Sequence, residues 1–390
     1  MLLCASVPPW LAWPGEAFPV TVINRALIVI FLVLISLPGL GLAVGGSEAR
    51  VSEAEMRELT KRPVFEWSWR FVPAFQRYVS DRFWTRPQLI HAQAWLLLNV
   101  FGTSASPTVI PGRDGWLFYA DDGGIEDWIE TAPFTTEELD IWRQVLEARR
   151  AWLAAQGIPY LFVIAPDKQM IYPELMPTSL RRMRTDYRAD QLIAYLGAHS
   201  DFAVLDLRPA VLAAKAREPE PLYHRYDTHW NDRGGLVGYQ AIVRGLQRWF
   251  PTMQPFARAD FTTSPAQPSG DKTTMLGLID AGKVAMPGLV PVRGWRHTVV
   301  FPAQPDAFGE EGTLVTEIPG STLPRAVMFR DSFAGRLIPY TSEHFSRITY
   351  VWQNMFDVDL IRREKPAVVI QEMVARHFCR FGPYIDVPLR

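Results

Sequence analysis

The chain has 390 residues, 48% of them hydrophobic, which is length for one large domain or two ordinary ones and apolar material for a sizeable core. Forty Lys and Arg against 41 Asp and Glu leave a net charge of -1, so neither a basic surface for nucleic acid nor an acidic tail is expected. The two cysteines, Cys4 and Cys379, lie on opposite sides of an apolar segment. If that segment spans a membrane they cannot pair, and neither a disulfide framework nor a cysteine metal site is expected.

Residues 1–25 form a Pro- and Trp-bearing extension to which the sequence assigns no role. Residues 26–45 carry no charge and match the roughly 20 apolar residues of a spanning helix. Arg25 precedes them, so the positive-inside rule places the N-terminus in the cytoplasm and the body of the chain outside. A cleaved signal peptide and a buried core helix compete with this reading; an uncleaved transmembrane anchor is preferred. Residues 46–110 read as a helical linker. A short helix over 52–61 would be capped by Ser52 with Glu55 three residues on. Apolar spacing then predicts helices over 73–84 and 86–100.

From 111 to 390 the pattern becomes that of one α/β domain. Turn residues at 111–115 lead to a strand over 116–119. A helix over 135–156 ends at Gly157-Ile158-Pro159. Strands are predicted over 160–165 and 202–206, with helices over 188–199 and 209–217. Leu236, Tyr239, Ile242, Leu246 and Phe250 mark one face of a further helix. Residues 251–324 have poor periodicity and read as a partly β insertion that includes a strand over 298–301. Strands return at 326–330, 347–352 and 367–371, with a helix over 358–363. Five apolar runs separated by helices imply a mostly parallel sheet covered on both faces, whose site lies beyond the carboxyl ends of the strands.

Two stretches carry chemistry. In Tyr226-Asp227-Thr228-His229-Trp230-Asn231-Asp232 a carboxylate and an imidazole stand two residues apart. In Arg330-Asp331-Ser332 a serine follows a strand. A serine needs a base to become a nucleophile, and a base imidazole needs its other nitrogen held. The assignment is Ser332 as nucleophile, His229 as base and Asp227 as the residue that orients it. The Ser332 amide is one oxyanion donor; Asp167, Lys168 and the Gly335 amide are candidates for a second. Trp230, Trp352 and Arg376 are candidates for holding a glycan, and Arg330 is a further oxyanion or substrate-binding candidate. Each motif alone has a plainer explanation, since Asp-x-His is often a capped turn and Asp-Ser a helix N-cap. A metal bound by His224, Asp227 and His229 is a lesser alternative, because no fourth ligand is evident.

These residues, with Asp81-Arg82-Phe83, Gly112 to Phe118, Ile164 to Lys168, Gly270-Asp271, Met275-Leu276-Gly277 and Glu343 to Arg347, resemble the AlgJ/AlgX-like polysaccharide O-acetyltransferases. The resemblance implies a three-layer, SGNH-hydrolase-like (flavodoxin-like) domain with circularly permuted motif order, preceded by a transmembrane helix. It departs from the SGNH pattern where Arg330 replaces a glycine and where Asp167 stands near the place of an asparagine. It implies acetyl transfer to hydroxyls of an alginate-type exopolysaccharide through an acetyl-serine, in the periplasm, from an anchor in the bacterial inner membrane. No cofactor or metal is implied. The expected partners are the polysaccharide acceptor, a multipass membrane O-acyltransferase that delivers acetyl, and other exopolysaccharide biosynthesis proteins. A C-terminal carbohydrate-binding module of the AlgX type is not expected. The alternatives are a carbohydrate acetylesterase with the same triad and a noncatalytic assembly factor of an export complex.

Overall fold

A computed structural model of the chain describes residues 20–44, 60–81, 86–129, 133–183, 185–269, 276, 278, 284–301, 312–380, 382–383 and 386–387. They fall into two units, 1–90 and 91–390. The first contains the helices Val20–Val44 and Phe71–Asp81. Among the described residues no helix is long and apolar enough to cross a membrane; the side chains described in Val20–Val44 are those of 22–33, 35 and 36. The expected span over 26–45 is therefore not shown. The helix expected over 52–61, and Arg82, Phe83, Gly270, Asp271, Met275 and Gly277 of the motifs, lie at least partly outside the described residues. The helix Arg86–Asn99 follows.

In the second unit β1 (Val109–Pro111) and β2 (Leu117–Tyr119) pair antiparallel. The main sheet takes up β3 (Tyr160–Ala165), β4 (Val204–Asp206), β7 (Thr298–Phe301), β8 (Thr313–Glu317), β9 (Arg325–Arg330), β10 (Arg347–Trp352) and β11 (Val368–Val374), in the order β4-β3-β11-β9-β10-β8-β7. Neighbours from β4 to β10 run parallel, and β8 and β7 continue the sheet antiparallel. Every residue of β3 and β11 is buried, which is why β3 reads as an unbroken apolar run and β11 as one interrupted only by Gln371 and Glu372, rather than as alternating strands. The five strands expected from those runs are all present, as is 298–301.

The chain steps from β3 outward to β4 and from β9 outward to β10 on the other side, with β11 between. Such a reversal leaves a crevice at the carboxyl ends of the central strands. Asp167, Asp331, Ser332 and Arg376 all follow those ends. Helices brace the sheet. Thr135 caps Thr136–Ala154 in a capping box with Glu138, as the Thr-x-x-Glu spacing requires. Arg149 of that helix donates to Asp386 (2.5 Å) and to Gln371 of β11 (2.9 Å).

The stretch 251–324 holds more order than its composition predicts. The strands β5 (Phe261–Ser269) and β6 (Val284–Pro291) form a separate antiparallel ribbon, with a register shift between Thr263 and Ala266. Pro265, Pro268 and Pro287 hid these strands, since proline is excluded from central strands. A two-stranded ribbon bonds each strand on one side only, so its free side tolerates them.

Candidate active site

The loop before the helix Asp232–Leu246 is a short ribbon. Tyr223 and Trp230 form a bridge, the His224 amide donates to the His229 carbonyl (3.2 Å) and the Asn231 amide to that of Leu222 (2.9 Å). Asp227 lies at its turn. Its Oδ1 accepts from the His229 amide (3.1 Å) and faces His229 Nδ1 at 2.8 Å. A carboxylate there places the ring proton on Nδ1 and leaves Nε2 as the basic nitrogen. Nε2 is buried and has no hydrogen-bond partner among the described residues.

The helix behind this loop is capped by Asn231, whose Oδ1 accepts from Arg233 (2.9 Å) and Gly234 (3.1 Å). Gly235 is required for packing: a Cβ there would stand 2.8 Å from Arg336 Cβ and 2.9 Å from the Arg336 carbonyl. The helix thereby closes on the turn that carries the serine.

Ser332 opens that turn, a 3-10 segment Ser332–Arg336 directly after β9. Its amide, first in the turn, has no acceptor within it. Trp230 Nε1 donates to the Phe333 carbonyl (2.9 Å), and the His229 and Phe333 rings lie 5.1 Å apart. The imidazole and the serine turn are thus tied together. A hydrogen bond from Ser332 Oγ to Nε2 is not formed among the described residues; such bonds are often long until substrate is bound.

Beneath the serine is a buried acid cluster. Asp331 Oδ1 accepts from the Phe333 amide (2.9 Å) and Oδ2 from the Val374 amide of β11 (2.7 Å), with His377 Nδ1 3.2 Å from Oδ2. The Asp331 amide donates to Glu372 Oε2 (3.2 Å). Burial acts to raise the Asp331 pKa, but His377, the Val374 amide and Arg376 outweigh it and hold the carboxyl down, to about 2. Burial, then the Asp331 charge, push Glu372 well above the usual carboxylate range. Glu372 is therefore the neutral member of the pair.

Several sequence candidates take other roles. Lys168 was a candidate oxyanion donor, but its Nζ donates to the carbonyls of Leu117 (2.7 Å), Arg225 (2.9 Å) and Asp227 (3.0 Å) and lies over the Trp116 ring. With three protons so engaged it is a strut under the Asp227 turn. Asp167 is not a donor either: its carboxylate accepts from the Arg376 amide and guanidinium, both at 2.7 Å. Arg376, in turn, is buried between the Phe333 and Tyr119 rings and is not a surface for glycan. Trp230 is wholly buried and engaged with Phe333. Gly335 lies within the serine turn.

Arg330, though only 1% exposed, and the half-buried Trp352 stand at a cavity. The Arg330 guanidinium lies 4.4 Å from the centre of the Trp352 ring. Both line a cavity of about 320 Å³ with Asp331, Met355, Met373 and His377. As for the metal alternative, no group of three His, Cys, Asp or Glu side chains among the described residues is arranged to hold an ion. His224 is buried with neither ring nitrogen bonded among the described residues, and burial lowers its pKa to about 4, which keeps it neutral. Sequence reasoning missed Glu372 and His377. The signal was present in Gln371-Glu372, polar residues inside an apolar run.

Lys168→Met is expected to lower stability by about 3 kcal/mol, since buried carbonyls lose their donor, and to lower kcat more than KM as the Asp227 turn loosens. Thermal melts and kinetics check this; an unchanged melting temperature would remove the strut from the account.

The reversal at β11, with a serine after one central strand and a carboxylate–imidazole pair beside it, defines an SGNH hydrolase-like α/β domain. Residues 109–374, more than half of the chain, match the family of the SGNH hydrolase-like domain of the acetyltransferase AlgX, and the chain belongs to that family. The probable alginate O-acetylase AlgJ of Pseudomonas putida is 30% identical over 142 residues, 36% of this chain and 34% of that protein, so the match spans about a third of the relative's length. The solved structure of Bacillus cereus PatB1 with a sulfonyl adduct is 15% identical at a TM-score of 0.52, covering 70% of this chain and 97% of that one. A second PatB1 structure is 17% identical at 0.51, covering 68% and 95%. At these identities the two structures show the fold alone.

Proposed function

We propose that the chain transfers acetyl groups to hydroxyls of a polysaccharide through an acetyl-Ser332 intermediate. The observation that carries this is His229, held by Asp227 at 2.8 Å, with Nε2 unbonded among the described residues and the ring beside the serine turn. Family membership and the AlgJ relative support acetyl as the group moved. Ser332 Oγ attacks the donor carbonyl as its proton passes to Nε2. The tetrahedral intermediate collapses, the bond to the donor's leaving group breaks, and that group takes the proton from His229. The acceptor hydroxyl then gives its proton to Nε2 and attacks the acyl carbon, and Ser332 leaves with the proton returned. The Ser332 amide faces the developing oxyanion.

Asp227 and His229 precede Ser332 in the chain, which supports a permuted motif order. On this reading the domain works in the periplasm, held at the inner membrane through 26–45. The exposed Leu27, Phe31 and Ile35 of the helix Val20–Val44 support an apolar environment around it. A multipass membrane acyltransferase supplies the acetyl, and other exopolysaccharide biosynthesis proteins accompany it. Acceptor sugar would reach Ser332 past Arg330 and Trp352.

The test is intact-mass analysis of the chain with an activated acetyl ester, with and without oligosaccharide. Acetyl is expected on Ser332 and on sugar, both lost in Ser332→Ala. A sulfonyl fluoride, suggested by the PatB1 adduct, is expected to label Ser332 and block transfer. Acetyl-enzyme yielding only acetate would favour the esterase. An unmodified Ser332 with both reagents would favour the assembly factor.

A further inference from the structure

The first unit carries a surface that its described residues leave open. Val64, Trp67 and Trp69 are 82%, 96% and 79% exposed, and Phe65, Val72 and Phe75 are exposed beside them. The rings form a continuous run. Centroids lie 6.4 Å apart for Trp67 and Phe65, 4.9 Å for Phe65 and Phe71, 5.6 Å for Phe71 and Phe75, and 6.3 Å for Phe75 and Tyr78. Spacing in the helix Phe71–Asp81 puts Phe71, Phe75, Tyr78 and Val79 on one face and Gln76, Arg77 and Ser80 on another. A contiguous apolar area of this kind marks an interaction surface.

The chemistry of the run selects its occupant. Trp and Tyr, with an apolar body and a polar tip, suit the boundary between headgroups and acyl chains. Lys61, Arg62, Arg70 and Arg77 outnumber Glu66 and Asp81 over 60–81, which complements an anionic surface. Arg70 lies over the Trp69 ring at 5.3 Å, a geometry that lets the ring sink while the guanidinium stays with phosphates. The same unit includes the helix Val20–Val44, whose described apolar side chains are also exposed. We propose that residues 64–79 lie in the headgroup–acyl boundary of an anionic bilayer, as an interfacial segment additional to any span over 26–45. This stands apart from the acetyl-transfer reading.

The whole 390-residue chain is reconstituted in vesicles of phosphatidylcholine with phosphatidylglycerol. Cys4 and Cys379 are replaced by serine, and a fluorophore is attached in turn to Trp67→Cys, Val72→Cys, Gln76→Cys and Arg77→Cys. Labels at 67 and 72 are expected to shift to the blue, to be quenched by doxyl-bearing lipid and to be spared by aqueous iodide; those at 76 and 77 should respond in reverse. Omitting phosphatidylglycerol should reduce lipid quenching at 67. Iodide reaching 67 and 72 as freely as 77 overturns the proposal. Shielding of 67 and 72 from both quenchers also overturns it, because a protein or glycan then covers the run. In the unaltered chain, amide hydrogen exchange over 64–70 should slow in vesicles with phosphatidylglycerol relative to vesicles without; equal rates overturn the proposal independently of the cysteine replacements.

Discussion

His229→Ala is expected to slow acetyl transfer from an activated acetyl ester by about 10³–10⁶-fold, with KM little changed. The imidazole acts only where charge moves, so its loss is felt in the transition state rather than in ground-state binding. Ser332→Ala should fall in the same range, and the double variant should be no worse than either single one. Base and nucleophile act as one unit, and removing either removes the step. Asp227→Asn should cost less than His229→Ala, because its oxygen can still accept from the His229 amide and Nδ1 while the charge that stabilises the imidazolium is gone. Melting temperatures should fall by less for His229→Ala, which gives up the Nδ1–Asp227 hydrogen bond but, among the described residues, no bond at Nε2. This contrasts with Lys168→Met, where stability and rate fall together. Single-turnover kinetics on the four variants decide the matter; additive losses from His229 and Ser332 would sink their assignment to one unit.

Much of this arrangement is legible from residue order. The five strands of the parallel part are short, mostly apolar and separated by helical spacing, so their number and direction follow from the alternation of strand and helix, with the central β3 and β11 buried on both faces. Asp227 and His229 are local partners, and one turn brings them together. Ser332 is marked by its place after an apolar run. What residue type does not carry is direction. Lys168 follows β3, as a site residue should, yet its side chain folds beneath the Asp227 turn onto backbone carbonyls that no sequence pattern marks. Trp230 is equally suited to sugar or to a core; its indole proton finds the Phe333 carbonyl, 103 positions away in the chain. Asp167 and Arg376 are partners across a still longer interval. The ribbon β5–β6 was hidden for a different reason: its prolines are incompatible with a central strand, but it is not central.

The buried acids behind Ser332 should respond to mutation with opposite signs. Asp331→Ala leaves the Phe333 and Val374 amides without their acceptor and is expected to cost about 2–6 kcal/mol, since unsatisfied buried donors carry roughly 1–3 kcal/mol each. It should also slow acylation, because Asp331 ties the Phe333 amide of the serine turn to the Val374 amide of β11. Glu372→Gln should stabilise at neutral pH. The folded-state pKa of Glu372 is raised by burial and by the Asp331 charge, so the folded chain keeps a proton that the unfolded chain releases above about pH 4.3. Between those two pKa values the folded state binds more protons, and stability falls as pH rises, by up to about 1.4 kcal/mol per unit. A neutral amide removes that slope. The variant should melt near the parent temperature at pH 4 and above it at pH 7, with the gap widening as pH rises. Asp331 runs the other way. Its folded pKa is depressed to about 2, so its contribution is present above the unfolded value near ~3.9 and is lost as pH falls towards 2. Because the Asp331 charge is itself part of what raises Glu372, Asp331→Asn should shrink the gain from Glu372→Gln. Melting curves of the four chains from pH 4 to pH 8 read this coupling directly, and equal gains in both backgrounds would separate the two acids.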